Sequence, residues 1–298
     1  MAYRIGIDLG GTKTEIAALD VEGRIVLRRR LGTAADYRTR LGQIGDLVHE
    51  AEAELGAKAT VGVGIPGVIS PATGLVKNAN STAINGQPFD RDLAELLDRP
   101  VRVENDANCF ALSEAADGAA AGSRVVFGVI LGTGCGAGII VDGKVVEGRH
   151  RIAGEWGHNP LPWPSPEEMP GPQCWCGQRG CLETWIAGPA LARSADGPEA
   201  RDARSLPARA AQGEARAAEA LARHVDRVAR GLAHVVNILD PDAIVLGGGV
   251  SNMEHLYTDL PALVRRHVFS DFVNTPILRN KHGDSSGVRG AAWLWPKA

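Results

Sequence analysis

The stretch "IGIDLGGTKTEIAALD", Ile5–Asp20, combines a buried strand, a glycine turn and a second strand. The stretch "RIVLRRRL", which alternates like an amphipathic strand, follows after three residues, so the three segments are predicted to form an antiparallel meander. The same order of strand, glycine-rich turn and strand recurs in "RVVFGVILGTGCGAGIIVDGKVV", from Arg124 onwards. Two copies of one supersecondary unit indicate two related domains that face each other, with the binding site in the cleft between them.

Helices and strands alternate along the rest of the chain. Apolar spacing predicts a helix over about Tyr37–Leu55, and "PVRVENDANCFALSEAADGAA" predicts a strand that runs into a helix, with Asn105 and Asp106 at the junction. A second long helix is predicted to end near Leu239, before a buried strand and a triple glycine. The stretch Ala187–Gln212 has little periodicity and is predicted to be loop and short helix. The segment "GDSSGVRGAAWLWP" predicts a capped helix that closes the chain.

Length and charge limit the classes of protein that remain. A chain of 298 residues suits two domains, predicted here as a small domain over 1–118, joined by the helix 287–298, and a larger domain over 119–286. The net charge of -3 and the absence of a basic face argue against nucleic acid as a partner. No apolar run approaches the length of a membrane span, and the N terminus lacks a signal core, so a cytoplasmic protein with no membrane partner is expected.

The turn "DLGGTKT", Asp8–Thr14, has the composition of a phosphate-binding loop. Its glycines let backbone N–H groups converge on an anionic oxygen, its two threonines add hydroxyl donors, and its lysine adds positive charge. It matches neither the Walker A motif nor the dinucleotide fingerprint, and a simple tight hairpin is the alternative. The candidate phosphate ligands are Gly10, Gly11, Thr12 and Lys13.

Two further glycine segments are candidates for contact with a nucleotide. "LGTGCGAG", Leu131–Gly138, repeats the design of the first loop and contributes Thr133 and Gly134. The triple glycine that ends with Gly248 and Gly249 follows a buried strand, and it could let a flat adenine lie against the backbone. A packing turn is the alternative explanation for this third segment.

Three cysteines lie close together in "QCWCGQRGCLE". Cys174, Cys176 and Cys181 have the spacing C-x-C-x₄-C, and the nearby upstream nitrogen ligand is His158 in "GEWGH". Three thiolates and one imidazole complete a closed tetrahedral site, which is the structural kind of zinc site. Reduced, unligated thiols are the alternative, and an odd total of 5 cysteines argues against a disulfide framework.

Several motifs together resemble one protein family. The segments "IGIDLGGTKTEIAALD", "GVGIPG", "NDANCFALSEA", "LGTGCGAGI", "GEWGHNPLP" and "CWCGQRGCLE" occur in the order typical of the ROK family, which contains sugar kinases and sugar-responsive repressors. The resemblance covers nearly the whole chain. It implies an α/β, actin-like, hexokinase-type (ribonuclease H-like) duplicated fold of two domains. The segments "VKNANST", "NGQPF" and "HGDSSGVRGAAWLWP" most resemble bacterial fructokinases of the manno(fructo)kinase type.

The resemblance implies a role for two acidic residues. Asp106 would be the general base that accepts the proton of the attacking sugar hydroxyl, and the neighbouring Asn105 a sugar ligand. From the sequence alone, a helix cap is the alternative role for Asp106. Asp8 could contact magnesium through water beside the phosphates, and a turn-stabilising side chain is its alternative.

The zinc loop would also hold sugar ligands. In the resembling family the residues that correspond to Glu155, His158 and Glu183 bind sugar hydroxyls, and the metal would keep them in place. Solvated surface acids are the alternative for the two glutamates. The resemblance adds Gly67 and Asn80 as further sugar-binding residues.

The implied activity is the ATP-dependent phosphorylation of a hexose at its 6-hydroxyl, with fructose as the expected substrate and mannose as a second one. An N-acetylglucosamine kinase or glucokinase is the alternative within the family, and a sugar-sensing regulator without catalysis is the alternative outside it. The repressor branch carries an N-terminal helix-turn-helix domain, which we do not expect because the phosphate loop begins at Asp8. ATP, Mg²⁺, a structural Zn²⁺ and a homodimeric assembly complete the expectation.

Overall fold

A computed structural model of the chain describes residues 3–79 and 82–296. The strands in these ranges are β1 (Arg4–Leu9), β2 (Lys13–Leu19), β3 (Ile25–Gly32), β4 (Thr60–Ile65), β5 (Val68–Ile69), β6 (Val76–Lys77), β7 (Val101–Asn105), β8 (Val125–Leu131), β9 (Cys135–Val141), β10 (Lys144–Val145), β11 (Ala243–Gly247) and β12 (Ile277–Arg279). The α-helices are α1 (Tyr37–Leu55), α2 (Phe89–Leu96), α3 (Asp106–Ala116), α4 (Glu183–Ile186), α5 (Gly188–Asp196), α6 (Leu206–Ala211), α7 (Ala215–Leu239), α8 (His255–Arg265) and α9 (Ser286–Trp293). Short 3₁₀ turns span Thr82–Ile84, Trp156–His158, Pro166–Glu168, Gly249–Asn252 and Gly283–Ser285.

Two five-stranded sheets share one plan. The first has the order β3-β2-β1-β4-β7, in which β1, β2 and β3 pair antiparallel while β1, β4 and β7 run parallel. The second has the order β10-β9-β8-β11-β12, in which β10 pairs antiparallel with β9 while β8, β11 and β12 run parallel. The predicted meander and its recurrence in the second half of the chain are therefore confirmed.

The chain divides into two compact units. The first comprises Met1–Ala121, Gly138–Ala153 and Lys281–Ala298, and the second comprises Gly122–Ala137 and Gly154–Asn280. This division differs from the predicted domains mainly at 138–153, which the prediction gave to the larger domain. The reason is packing, because a Cβ on Gly138 would lie only 2.6 Å from the carbonyl oxygen of Ala107 in α3.

Helix α9 belongs to the first unit because glycines let it approach the sheet closely. A Cβ on Gly6 in β1 would lie 1.9 Å from the carbonyl oxygen of Val288, and one on Gly62 in β4 would lie 1.9 Å from that of Ala291. Any larger residue at these two positions would push the helix off the strands. Gly6 of "RIGID" and Gly62 of "TVGVGI" are therefore explained by packing under α9.

Most predicted elements are observed where the sequence places them. Helix α1 has the predicted bounds, and it is capped by Asp36, whose carboxylate accepts a 3.0 Å hydrogen bond from the amide of Thr39. The stretch 187–212 contains two short helices, α5 and α6, with a loop between them, in agreement with the predicted loop and short helix. The closing helix α9 is present, but Ser285 at its N-cap position makes no side-chain capping bond. Within 3–79 and 82–296, no helix combines the length and the apolar character needed to cross a membrane.

Candidate functional site

Polar residues follow the three parallel strands of the first sheet. The carboxyl ends of β1, β4 and β7 lie at one edge of the sheet, so the residues there come together. The Asn105 side-chain amide donates a 3.4 Å hydrogen bond to the carbonyl oxygen of Gly67, which joins two of the predicted sugar ligands. The third predicted ligand of this group, Asn80, lies outside the described residues.

Asn105, rather than Asp106, caps helix α3. Its side-chain oxygen accepts hydrogen bonds from the amides of Ala107 (2.9 Å) and Asn108 (3.4 Å). Asp106 is the first residue of the helix, and its half-buried carboxylate accepts a 2.8 Å hydrogen bond from the amide of Ala107. The capping role considered for Asp106 therefore belongs to its neighbour. Behind them, burial raises the pKa of Glu104, which accepts a 3.0 Å hydrogen bond from the Asn108 side chain.

The Asp8 carboxylate is mostly buried and has unusual proton affinity. Burial, and then the negative charge of Glu15, raise the pKa of Asp8 to about 6, while Arg30 opposes the shift. Within the described residues this carboxylate accepts no hydrogen bond from the turn that follows it, so the alternative of a turn-stabilising side chain is not observed. It lies against the start of α9, where a Cβ on Gly287 would be 2.9 Å from its Oδ2. A hard cation would favour the ionised form of such a carboxylate.

The first glycine loop is a closed hairpin with an exposed tip. The amide of Gly10 donates a 2.9 Å hydrogen bond to the carbonyl oxygen of Lys13, and the residues of the tip are exposed. Thr14 does not fit its predicted role as a hydroxyl donor to phosphate. Its side chain is fully buried because it faces inward from β2, and its hydroxyl lies 2.8 Å from the hydroxyl of Thr33. The exposed candidates in this loop are Gly11, Thr12 and Lys13.

The second glycine loop and the triple glycine meet in the second unit. They follow the adjacent parallel strands β8 and β11, so they lie at the same sheet edge. A Cβ on Gly248 would be 2.4 Å from the carbonyl oxygen of Leu131, which gives this glycine a packing role. Thr133 and Gly249 are exposed beside this contact, and Gly134 is half-buried. Nucleotide binding by these segments stays a prediction.

A tryptophan anchors the loop that carries Glu155 and His158. The ring of Trp156 packs edge-on against Phe127, with 5.8 Å between ring centroids, and its indole N–H donates to the carbonyl oxygen of Gly231 in α7 at 3.3 Å. The two predicted sugar ligands flank this buried ring and are themselves half-buried. Their positions therefore depend on core packing in the second unit.

His158, Cys174, Cys176 and Cys181 come together as predicted. Their ligand atoms all lie within 4.8 Å of one another. The Sγ atoms of Cys176 and Cys181 are 3.7 Å apart, and Cys174 Sγ lies 3.6 Å from His158 Nδ1. A tetrahedral zinc site requires about 3.8 Å between two sulfurs and about 3.6 Å between sulfur and nitrogen, from its usual bond lengths. The residues fit zinc, and all of the cysteines are free of disulfide bonds.

Glu183 lies beside this cluster and holds the second glycine loop. One carboxylate oxygen accepts a 2.8 Å hydrogen bond from the amide of Cys135, and the other accepts a 2.8 Å bond from the indole N–H of Trp175. The Trp175 ring also meets His158 edge-on, with 4.9 Å between ring centroids. Glu183 is half-buried, so it is not the solvated surface acid of the alternative. Sequence reasoning missed Trp175, although its place between two zinc-type cysteines was a signal.

Known proteins resemble this chain along nearly its full length. N-acetyl-D-glucosamine kinase of Pectobacterium atrosepticum is 40% identical over 297 residues, which cover 97% of each chain. N-acetyl-D-glucosamine kinase of Vibrio cholerae is 39% identical over 296 residues, covering 97% of this chain and 98% of the relative.

Solved structures of sugar kinases also superpose on nearly the whole chain. The ROK hexokinase of Thermus thermophilus superposes with a TM-score of 0.87 at 32% identity, covering 98% of this chain and 97% of the other. A ROK glucokinase of Streptomyces griseus, solved with glucose and AMPPNP, gives a TM-score of 0.79 at 29% identity, covering 99% and 100% of the two chains. The predicted actin-like, hexokinase-type fold of two α/β domains is confirmed.

The expected specificity for fructose is wrong. The relatives that are about 40% identical over the whole chain are named N-acetyl-D-glucosamine kinases, which favours the alternative within the family. The wider class of enzyme, an ATP-dependent sugar kinase, is supported by the same relatives.

The assignment to a family rests on the whole chain rather than on these motifs alone. A single family model, described as ROK family, matches residues 4–298 and so takes in both sheets, both glycine loops and the Cys/His cluster. The chain belongs to the ROK family.

Proposed function

We propose that this protein is an ATP-dependent kinase that phosphorylates N-acetyl-D-glucosamine at its 6-hydroxyl. The observation that carries the proposal is the identity of 39–40%, over 97% of this chain, to enzymes named N-acetyl-D-glucosamine kinase. Among the described residues, the predicted site residues lie at strand ends and in loops held by long-range packing, which suits a small-molecule kinase.

Each site residue then has a role. Asp106 accepts the proton of the attacking hydroxyl, and Asn105, Gly67 and Asn80 bind the sugar. Asp8 would bind Mg²⁺ through water, and the cation would neutralise charge on the transferred phosphoryl group. The sugar ligands on the zinc loop are Glu155, His158 and Glu183. The nucleotide ligands are Gly10, Gly11, Thr12, Lys13, Thr133, Gly134, Gly248 and Gly249.

Zinc is proposed as a structural metal on His158, Cys174, Cys176 and Cys181. The four ligand atoms are spaced for a closed tetrahedron, which leaves no position for a substrate. Burial, and then the two neighbouring thiols, raise the pKa of Cys181 to about 12, so binding must displace its proton. The metal would fix the loop that carries Trp175 and Glu183.

Steady-state kinetics with a panel of sugars tests the proposal. N-acetylglucosamine, glucose, mannose and fructose are each assayed with Mg-ATP, coupled to release of ADP. We expect kcat/KM for N-acetylglucosamine to exceed that for glucose by at least about tenfold. A site whose polar groups bind the acetamido group leaves those groups unpaired when glucose binds instead. A 6-deoxy analogue should bind without turnover. A preference for glucose, or phosphorylation of the 6-deoxy analogue, would contradict the proposal.

A further inference from the structure

The first unit contains an open cavity that the proposed function does not use. The cavity has a volume of about 630 Å³, which is within the usual range for small-molecule sites. Residues of β7, of β10 and the loop after it, and of the C-terminal end of α9 line it, and all of them belong to this unit. Among the described residues that line it, none is a proposed ligand of the sugar, the nucleotide or a metal. We call it the β7 cavity.

Two carboxylates in the wall of the β7 cavity have oxygens without a partner. Glu104 in β7 is only 7% exposed. Its Oε1 accepts hydrogen bonds from the amide of Asn105 (2.7 Å) and the side chain of Asn108 (3.0 Å), whereas its Oε2 accepts none from any residue that the structure describes. The carboxylate of Asp90, in the first turn of α2, also accepts no hydrogen bond within 3–79 and 82–296. Carboxylate oxygens in a buried wall are stabilised by hydrogen-bond donors, which a ligand in the cavity can supply.

The charged side chains around the cavity balance one another. Three are acidic and three are basic: Asp90, Glu104, Glu147, Arg102, Lys144 and Arg151. Arg151 is engaged by Glu147 in an ion pair of 3.0 Å. Arg102 donates to the carbonyl oxygen of Leu294 and lies over the ring of Trp295, 4.2 Å from its centroid. Because the formal charges cancel, the cavity favours a neutral ligand with several polar groups over an anion or a cation.

The rest of the wall is largely apolar. Val103 and Leu112 contribute to it from β7 and α3, and Val145 and Leu294 contribute from β10 and the end of α9. A ligand must therefore combine an apolar surface with groups that donate to the two carboxylates. Sugars have this character, because their hydroxyl groups both donate and accept hydrogen bonds while the faces of their rings carry C–H groups. Such a ligand covers the apolar wall, which water alone solvates poorly.

We infer that the β7 cavity is a second carbohydrate-binding site, in which hydroxyl groups of a neutral disaccharide donate to Glu104 and Asp90. A cavity of this volume accommodates a drug-sized molecule, and a disaccharide is of that size. Glu104 connects the site with the catalytic junction, because the same side chain holds the amide of Asn105, which precedes the proposed base Asp106. Binding there requires no phosphoryl transfer, so it is independent of which sugar the enzyme phosphorylates.

Saturation-transfer NMR on the full chain tests the site, with maltose, trehalose and cellobiose as probes. We expect at least one of them to bind with a Kd of about 1 mM or lower, judged from the affinity that ligands of this size reach. Val145→Trp fills the cavity and should weaken this binding at least about tenfold, and Glu104→Gln should weaken it by about the same factor by removing a charged acceptor. The matched control is Val26→Trp on β3, where the valine is exposed, and it should bind the sugar like the wild type.

Folding and ligand class are controlled separately. Circular dichroism, thermal unfolding and kinase turnover should be the same for the two valine variants. Lys144→Trp, at an exposed residue of the lining, provides the same test if the half-buried Val145 does not tolerate tryptophan. No detectable binding of the three sugars, or binding that persists in the folded cavity-filling variant, would overturn the inference. Displacement of the bound sugar by excess ethylammonium or sulfate would overturn the neutral class of ligand.

Discussion

The two glycine loops look alike in sequence, but different parts of the molecule support them. The loop Asp8–Thr14 is held by its own hairpin and by Thr33, directly after β3, whose hydroxyl donates a 3.0 Å bond to the carbonyl oxygen of Gly10. The loop Leu131–Gly138 is held by Glu183, which lies 48 residues beyond the Cys135 amide that it binds. The first loop is thus a local structure, whereas the second depends on a distant segment beside a metal-type cluster.

Removal of the proposed base should have the largest effect, and it should leave both loops intact. Asp106→Asn should lower kcat on the order of 10²- to 10⁴-fold while sugar and nucleotide binding persist, because general-base catalysis is lost. Helix α3 should survive because Asn105 provides its cap. Turnover and calorimetric binding are compared with Asp98→Asn, which changes an exposed carboxylate in a turn. Near-normal turnover in a folded protein would remove Asp106 from the mechanism.

Loss of the metal should disturb the second loop and spare the first. Cys176→Ser should abolish the one zinc expected per chain and lower the free energy of unfolding by about 5 kcal/mol or more, because zinc binding contributes to folding. The sugar KM should rise about tenfold or more as the support of Glu183 weakens, while the requirement for Mg²⁺ stays the same. Metal analysis by mass spectrometry, thermal unfolding and kinetics measure these effects.

The control for Cys176→Ser is Gln178→Ala in the same loop. The side chain of Gln178 is exposed, and the local hydrogen bonds of this residue are made by its backbone. This variant should keep its zinc, its stability and its KM. A wild type without zinc, or a Cys176→Ser protein with unchanged stability, would support the alternative of unligated thiols.

The difference between the loops also explains what could be predicted from the sequence. Apolar periodicity was enough for α1 and for the β7–α3 junction, because neighbours in the sequence determine these elements. The Cys/His cluster was predictable because metal chemistry limits which residues can meet. The bond from Cys135 to Glu183 was not predictable, because no local pattern marks it. Thr14 was misjudged because it already lies within β2, in which every residue after Lys13 is buried.

The preferred sugar could not be predicted from the sequence motifs, for a related reason. The motifs are short and local, whereas selectivity for a ligand depends on loops whose packing no short pattern describes. Only similarity over the whole chain separated N-acetylglucosamine from fructose as the proposed substrate.

Substitution of Asp8 tests the first glycine loop through the stability of the protein rather than through the rate of the reaction. Its pKa is raised to about 6 from an ordinary 3.8, so the folded state binds the proton more tightly than the unfolded state does. Stability is therefore lost as the pH rises from about 4 to about 6, and the cost above that range is at most about 3 kcal/mol. Asp8→Asn should remove this cost and raise the melting temperature at pH 8, but not at pH 4.

Adding Mg²⁺ distinguishes an effect of the Asp8 charge on stability from an effect of repacking around the substituted side chain. A cation near the carboxylate favours its ionised form, so Mg²⁺ should recover part of the stability of the wild type and none in Asp8→Asn. Activity should fall in the variant although its stability increases. Equal melting temperatures of the two proteins at pH 8 would contradict the raised pKa.

The substitution with the smallest expected effect tests most directly how the second loop is supported, because it removes a single hydrogen bond from that support. Trp175→Phe keeps an aromatic ring beside His158 but deletes the indole N–H that donates to Glu183. A hydrogen bond to a charged group contributes about 1.5 kcal/mol, and Trp175 is 71% exposed, so we expect a three- to tenfold rise in the sugar KM with little change in kcat. Zinc content should not change. If Trp175 acted only as packing for the metal loop, the phenylalanine variant would keep the wild-type KM, and the second loop would depend on the Cys135 amide and the metal alone.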